Sequence, residues 1–141
     1  MQCFTSKLNP HHEIHNMTNV NPHKFTGPRR LVKTLGCSLS GLLVAWKEEA
    51  AFRQEVILAI VLVPVAIMMP VDVTQRVLLV ASVMLVLIME MINSSIEATV
   101  DRISLDIHPL AKKAKDMGGT AVLLALTNAI LTWAMILWSL R

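Results

Sequence analysis

The sequence predicts an all-α integral membrane protein: an N-terminal amphipathic surface helix followed by three membrane-crossing helices in a bundle. Three observations predict it. Apolar residues make up 54% of the 141-residue chain and charged ones only 16%, where a soluble domain carries about a quarter charged. Most of that charge falls within residues 1–55 and 101–116. Three apolar segments, at 56–71, 77–100 and 119–140, occupy most of the remainder. The length points to a single domain.

Residues 1–28 read as a disordered extension, rich in Asn, His, Pro and Thr and without apolar periodicity. They do not read as a signal peptide, because no apolar core follows the first basic residues. The run HHEIH at 11–15 invites a metal reading. It lacks the His-Glu-x-x-His spacing that puts two ligands on one helix face. Cys3 and Cys37 form no spacing motif and are expected to act as small hydrophobes, neither disulfide-bonded nor metal-bound. The net charge of +3 is modest and lacks the interleaved aromatics of a nucleic-acid binder.

Residues 29–54 predict the surface helix. Leu31, Leu35, Leu39, Leu42 and Trp46 recur every three or four positions and form an apolar stripe. Arg29, Arg30, Lys33 and Lys47 flank it, an arrangement suited to anionic head groups at a membrane surface.

A span needs about 20 apolar residues, with a lower limit near 17. The segment 119–140 qualifies alone and ends on Trp133 and Trp138, which suit an interface. The segment 77–100 qualifies if its polar half is tolerated. The segment 56–71 is short, contains Pro64, and needs flanking residues. The region around 102–116 carries Arg102, Lys112, Lys113 and Lys115, and the N-terminal region is also basic. Positive loops stay inside, so the N-terminus is expected in the cytoplasm and the C-terminus outside.

The polar half of the second span carries the chemistry. It reads EMINSSIEATVD over 90–101, directly after the uncharged run VLLVASVMLVLIM. At about 100 degrees per residue, Glu97 and Asp101 each fall within about 20 degrees of Glu90. Asn93 and Ser94 flank the same line. A carboxylate inside a bilayer costs at least a few kcal/mol unless it is paired, hydrated or metal-bound. Carboxylates with an asparagine are hard oxygen ligands suited to Mg²⁺, which is usually completed by phosphates.

Two further groups flank the spans. KEEAAFRQE at 47–55 contains Glu49, Arg53 and Glu55. It reads either as surface pairing one helical turn apart or as part of a site at the membrane entrance. KKAKDMGG at 112–119 reads as a positive-inside anchor, with Lys115 and Asp116 alternatively placed to contact a nucleotide. It is not a phosphate-binding Walker loop, because GxxxxGK[ST] is absent.

Together, EMINSSIEATVD at 90–101, EAAFRQE at 49–55 and AKDMG at 114–118 resemble the three marked segments of the prokaryotic diacylglycerol kinases, in order and in spacing. The resemblance covers residues 29–141. It implies a homotrimer in the bacterial inner membrane, with active sites shared between neighbouring subunits at the cytoplasmic face. It implies transfer of the ATP γ-phosphoryl group to 1,2-diacylglycerol, giving phosphatidate, with Mg²⁺ as cofactor. In family terms Glu90 matches the general base, and Glu49 and Glu97 match the Mg²⁺ ligands. The nucleotide site is matched by Arg30, Cys37, Glu49, Glu97, Asp106, Ile107, His108, Lys115 and Asp116. Arg53, Glu55, Glu90, Asn93 and Gly119 match the lipid end or its polar network. Asp101 sits at the water's edge, to serve the site or simply to pair with a nearby cation. Two departures stand out: the family's serine is Gly119 here, and its tyrosine near the nucleotide is Cys37.

Chemistry and resemblance agree. Phosphoryl transfer is mostly positioning and charge neutralisation. A carboxylate kept from water takes a hydroxyl proton better than an exposed one, so Glu90 is expected to take or orient the substrate hydroxyl proton. Undecaprenol kinases share the motifs and remain an alternative in substrate. A small ion-conducting oligomer is the alternative in class. The outer half of the second span argues against it, offering only Ser82 as a polar side chain. A purely structural membrane peptide leaves the cost of the intramembrane carboxylates unexplained.

Overall fold

The computed structural model describes residues 28–103 and 108–141, with side chains from residue 34 onward. The readings placed on the N-terminal tail, on Cys3, on the side chain of Arg30, and on Asp106 and Ile107 lie outside the described residues. Four helices follow in order: α1 Pro28–Glu48, α2 Ala50–Met68, α3 Val73–Ile103 and α4 Pro109–Ser139. The described residues contain no strand. The last three helices are each long and apolar enough to cross a membrane, as the fold class requires.

α1 carries the expected stripe. Leu35, Leu39, Leu42 and Trp46 all remain exposed, as an amphipathic surface helix requires when its apolar side faces lipid. Its hydroxyls turn inward, with Ser38 Oγ and Ser40 Oγ donating to the carbonyls of Thr34 and Gly36. Cys37 is half-buried on α1.

α1 ends earlier than the 29–54 helix expected from sequence. Glu49 takes an extended conformation, φ −100° and ψ 113°, and α2 begins after it. The Glu49 amide still donates to the Ala45 carbonyl, and the Arg53 amide to the Glu49 carbonyl. The break is therefore a bend, not a gap. Arg53 supports it by donating from Nη1 to the carbonyls of Trp46 at 3.1 Å and Lys47 at 3.0 Å. These are the last, otherwise unbonded carbonyls of α1, where a cation also meets the negative end of the helix dipole.

In the rest of the chain α2 and α4 both pack against α3. The turn between α2 and α3 is held by a reciprocal cap. Asp72 Oδ1 accepts from the Gln75 amide at 2.9 Å, and Gln75 Oε1 accepts from the Asp72 amide at 3.3 Å. Arg76 Nη2 closes the turn onto the carbonyls of Met69 and Val71. Beneath it Ala66, Leu79 and Ile136 form a buried cluster.

The helices outrun the apolar segments. α2 starts six residues before 56 and stops at Met68 rather than 71; α4 starts at Pro109 rather than 119. Hydropathy marks the slab of bilayer, whereas the backbone ladder continues into polar sequence. Lys112, Lys113 and Lys115 thus stand on the first turns of α4, not in a loop. That helix starts on Pro109 after His108, whose Nδ1 accepts from the Leu110 amide at 3.2 Å.

Candidate active site

The polar stripe of α3 grades from buried to exposed along its length. Glu90 is only 6% exposed; Asn93, Ser94 and Glu97 are half-buried, and Asp101 is exposed. Among the described residues Glu90 is the one buried ionisable side chain. Helical periodicity explains the alignment, and the packing of α2 and α4 on α3 explains the burial.

Further carboxylates gather around it. Glu49, at the α1–α2 bend, and Glu97, two turns along α3, both repel Glu90 through space. Glu90 in turn repels Glu55 on α2. No described cation forms an ion pair with any of the four, since the described ion pairs are Lys112 with Asp116 and Lys115 with Asp101. Glu55 Oε2 is buried without a hydrogen-bond partner among the described residues. Such a cluster is stable in a bilayer only with compensating positive charge or protons.

Asn93 links the stripe to itself and to α4. Its Nδ2 donates to Glu97 Oε1 at 2.9 Å. Its Oδ1 faces Gly118 so closely that a Cβ there would collide with it.

The charged ends of α3 and α4 meet through Lys115, whose Nζ lies 2.6 Å from Asp101 Oδ1. Lys115 also lies in the field of Glu97. Asp116 faces elsewhere and pairs with Lys112 on its own helix at 2.5 Å. Nothing lies within 4 Å of a Cβ built on Gly119.

Beside Glu55 a cavity of about 430 Å³ opens between α2, α3 and α4. Leu62, Val86, Leu126 and Trp133 are among its walls, and Glu55 is the one charged lining residue among the described residues.

This arrangement meets a clear match. A family model for prokaryotic diacylglycerol kinase aligns with residues 36–137. The chain belongs to the prokaryotic diacylglycerol kinase family. The diacylglycerol kinase of Escherichia coli strain K12 is 51% identical over 114 residues, covering 81% of this chain and 93% of that protein. The diacylglycerol kinase of Pseudomonas aeruginosa is 53% identical over 112 residues, covering 79% and 91%. That of Helicobacter pylori strain 26695 is 44% identical over 119 residues, covering 84% and 93%. With three apolar helices and bacterial relatives, this family member is a bacterial membrane protein.

The structure brings together Glu49, Glu55, Glu90, Asn93, Glu97 and Lys115 of the residues singled out from sequence. It does not bring in Asp116 or Gly119. Arg53 serves the end of α1 through its guanidinium, and His108 caps α4. Sequence reasoning overlooked Gly118. The dipeptide Gly118-Gly119 inside a helix was the available signal, because glycine weakens helices and needs a reason there.

Proposed function

We propose that this family member is an ATP-dependent diacylglycerol kinase at the cytoplasmic face of the inner membrane. It transfers the γ-phosphoryl group to the primary hydroxyl of 1,2-diacylglycerol, releasing ADP and phosphatidate. The observation that carries the reading is Glu90, a buried carboxylate in a spanning helix, in the field of Glu49 and Glu97 and of Glu55, which lines an apolar cavity. Such a site suits an amphiphile: its hydroxyl meets Glu90 while its chains stay in an apolar environment.

In this mechanism Glu90 accepts or orients the hydroxyl proton. The substrate oxygen then bonds to the γ-phosphorus as the bond to the β–γ bridging oxygen breaks, and ADP leaves with that electron pair. Mg²⁺ is the fitting cofactor. The carboxylates of Glu49 and Glu97 are hard oxygen donors, the kind that suits this ion. Magnesium is bound by one or two carboxylates, with phosphate oxygens and water completing the shell. Glu49 and Glu97 are the residues to hold it, and when bound it neutralises charge on the phosphates.

Lys115 supplies further positive charge to the nucleotide after parting from Asp101. Arg30, Cys37, Asp106, Ile107, His108 and Asp116 complete the nucleotide side in this reading, as the family resemblance assigns them. Arg53, Glu55, Asn93 and Gly119 belong to the lipid side or its polar network. A homotrimer with sites shared between subunits brings Asp116 and the nucleotide residues to the carboxylates. The basic N-terminal region and α4 start lie inside, and the C-terminus outside.

The deciding experiment is a lipid-dependent ATP turnover assay in mixed micelles, offering diacylglycerol and undecaprenol separately. Diacylglycerol-dependent phosphatidate formation is expected. Turnover only with undecaprenol reassigns the substrate, and turnover with neither lipid overturns the kinase reading.

A further inference from the structure

We infer that Gly118 is a positioning residue: its lack of a side chain lets α4 close on Asn93 and hold the amide that orients Glu97. The inference rests on the function proposed above for its effect on metal use, while the contact itself stands on geometry.

Gly118 is buried in the interior of α4, a place where glycine costs helix stability relative to alanine. Of the four described glycines, Gly36, Gly41 and Gly119 have open space where a Cβ would go. Gly118 alone does not. A Cβ there would meet Asn93 Oδ1 in a clash, with Asn93 Cγ at 3.5 Å and Asn93 Cα at 3.8 Å. The adjacent glycines therefore differ in kind: one is needed by the packing, the other is not.

The amide cannot simply turn out of the way. A carboxylate accepts hydrogen bonds and does not donate, so the 2.9 Å contact to Glu97 Oε1 must use Nδ2. That fixes Oδ1 toward Gly118, where it is buried and without a hydrogen-bond partner among the described residues. A methyl group on residue 118 has to displace Oδ1. The asparagine side chain is short, so Nδ2 swings away from Glu97 with it. Glu97 then loses the bond that sets its orientation. Groups that orient metal-binding carboxylates typically matter ten- to a hundredfold, roughly, in metal affinity or activity.

The test uses the full chain in mixed micelles with diacylglycerol, ATP and varied Mg²⁺. Gly118→Ala, Asn93→Ala and the double variant are compared with the parent, and Gly41→Ala controls for replacing a helical glycine. Gly118→Ala is expected to raise the half-saturating Mg²⁺ concentration and lower turnover, together by about ten- to a hundredfold. In the Asn93→Ala background the same change should alter either quantity by less than about twofold, because the displaced atom is gone. A Gly118→Ala effect that persists undiminished without the Asn93 side chain overturns the proposal, as does near-parental behaviour of Gly118→Ala. Where Gly118→Ala fails to fold, recovery of folding in the double variant supports the contact, and equal failure overturns it. A parent chain inactive on diacylglycerol instead sinks the functional reading. The same variants, compared by thermal unfolding, then decide the contact through its non-additivity.

Discussion

Lys115 Nζ lies 2.6 Å from Asp101 Oδ1 and ties the polar end of α3 to the first turns of α4. Both side chains are partly exposed, at 38% and 50%, so the pair adds little to stability. In the proposed mechanism Asp101 holds the ammonium that ATP later claims. Asp101→Asn should therefore leave the KM for ATP unchanged or lower it. Lys115→Met removes a charged contact to phosphate and should raise that KM about tenfold or more. Steady-state kinetics in ATP on both variants checks this.

Glu90→Gln keeps the shape of the side chain and removes its basicity. Turnover should fall by about 10²- to 10⁴-fold, the usual worth of a general base. ATP binding, measured by equilibrium dialysis, should stay near parental. A variant with near-parental rates contradicts the base role.

Glu49→Gln and Glu97→Gln should each raise the Mg²⁺ concentration needed for half-maximal rate. Removing Mg²⁺ with EDTA should stop the parent enzyme, and added Mg²⁺ should restore it. The double variant should respond to Mg²⁺ more weakly than either single one. Rate against free Mg²⁺ is the measurement, and unchanged curves contradict the assignment of the two carboxylates.

Arg53→Ala leaves the carbonyls of Trp46 and Lys47 without their guanidinium donor. The contact is exposed, so the expected loss is modest, about 1 kcal/mol. Arg53→Lys should recover only part of it, because an ammonium lacks the planar fork of donors. Thermal unfolding in detergent reads both.

Asp72→Ala tests the α2–α3 turn. It removes one half of the reciprocal cap with Gln75 and should cost about 1 kcal/mol. Lipid kinase kinetics should be unaffected, since the turn lies at the far end of α3 from Glu97 and Asp101. Unfolding and activity measured on the same preparation separate the two effects.

The fold was legible because each element leaves a pattern that depends on its own residues. The apolar stripe from Leu35 to Trp46 and the three apolar segments needed no knowledge of packing. The alignment of Glu90, Asn93, Glu97 and Asp101 followed from helical period alone. Element boundaries were less legible. Hydropathy sees lipid, whereas Lys112 and Glu55 join helices that continue past the apolar slab. The bend at Glu49 depends on Arg53 reaching back to α1, which no local pattern announces. The same holds for Lys115 finding Asp101. Gly119 drew notice because it departs from the family pattern. Gly118, which makes the close contact, could be told apart from it only once α3 and α4 were placed together.

The central claim is that the carboxylates around Glu90 serve phosphoryl transfer to a lipid hydroxyl. The most direct test measures phosphatidate formed from ATP and diacylglycerol in mixed micelles, with and without Mg²⁺, for the parent chain and Glu90→Gln. The account predicts Mg²⁺-dependent phosphatidate from the parent and almost none from Glu90→Gln at unchanged ATP binding. Absence of phosphatidate from the folded parent, or equal rates from the two proteins, contradicts it.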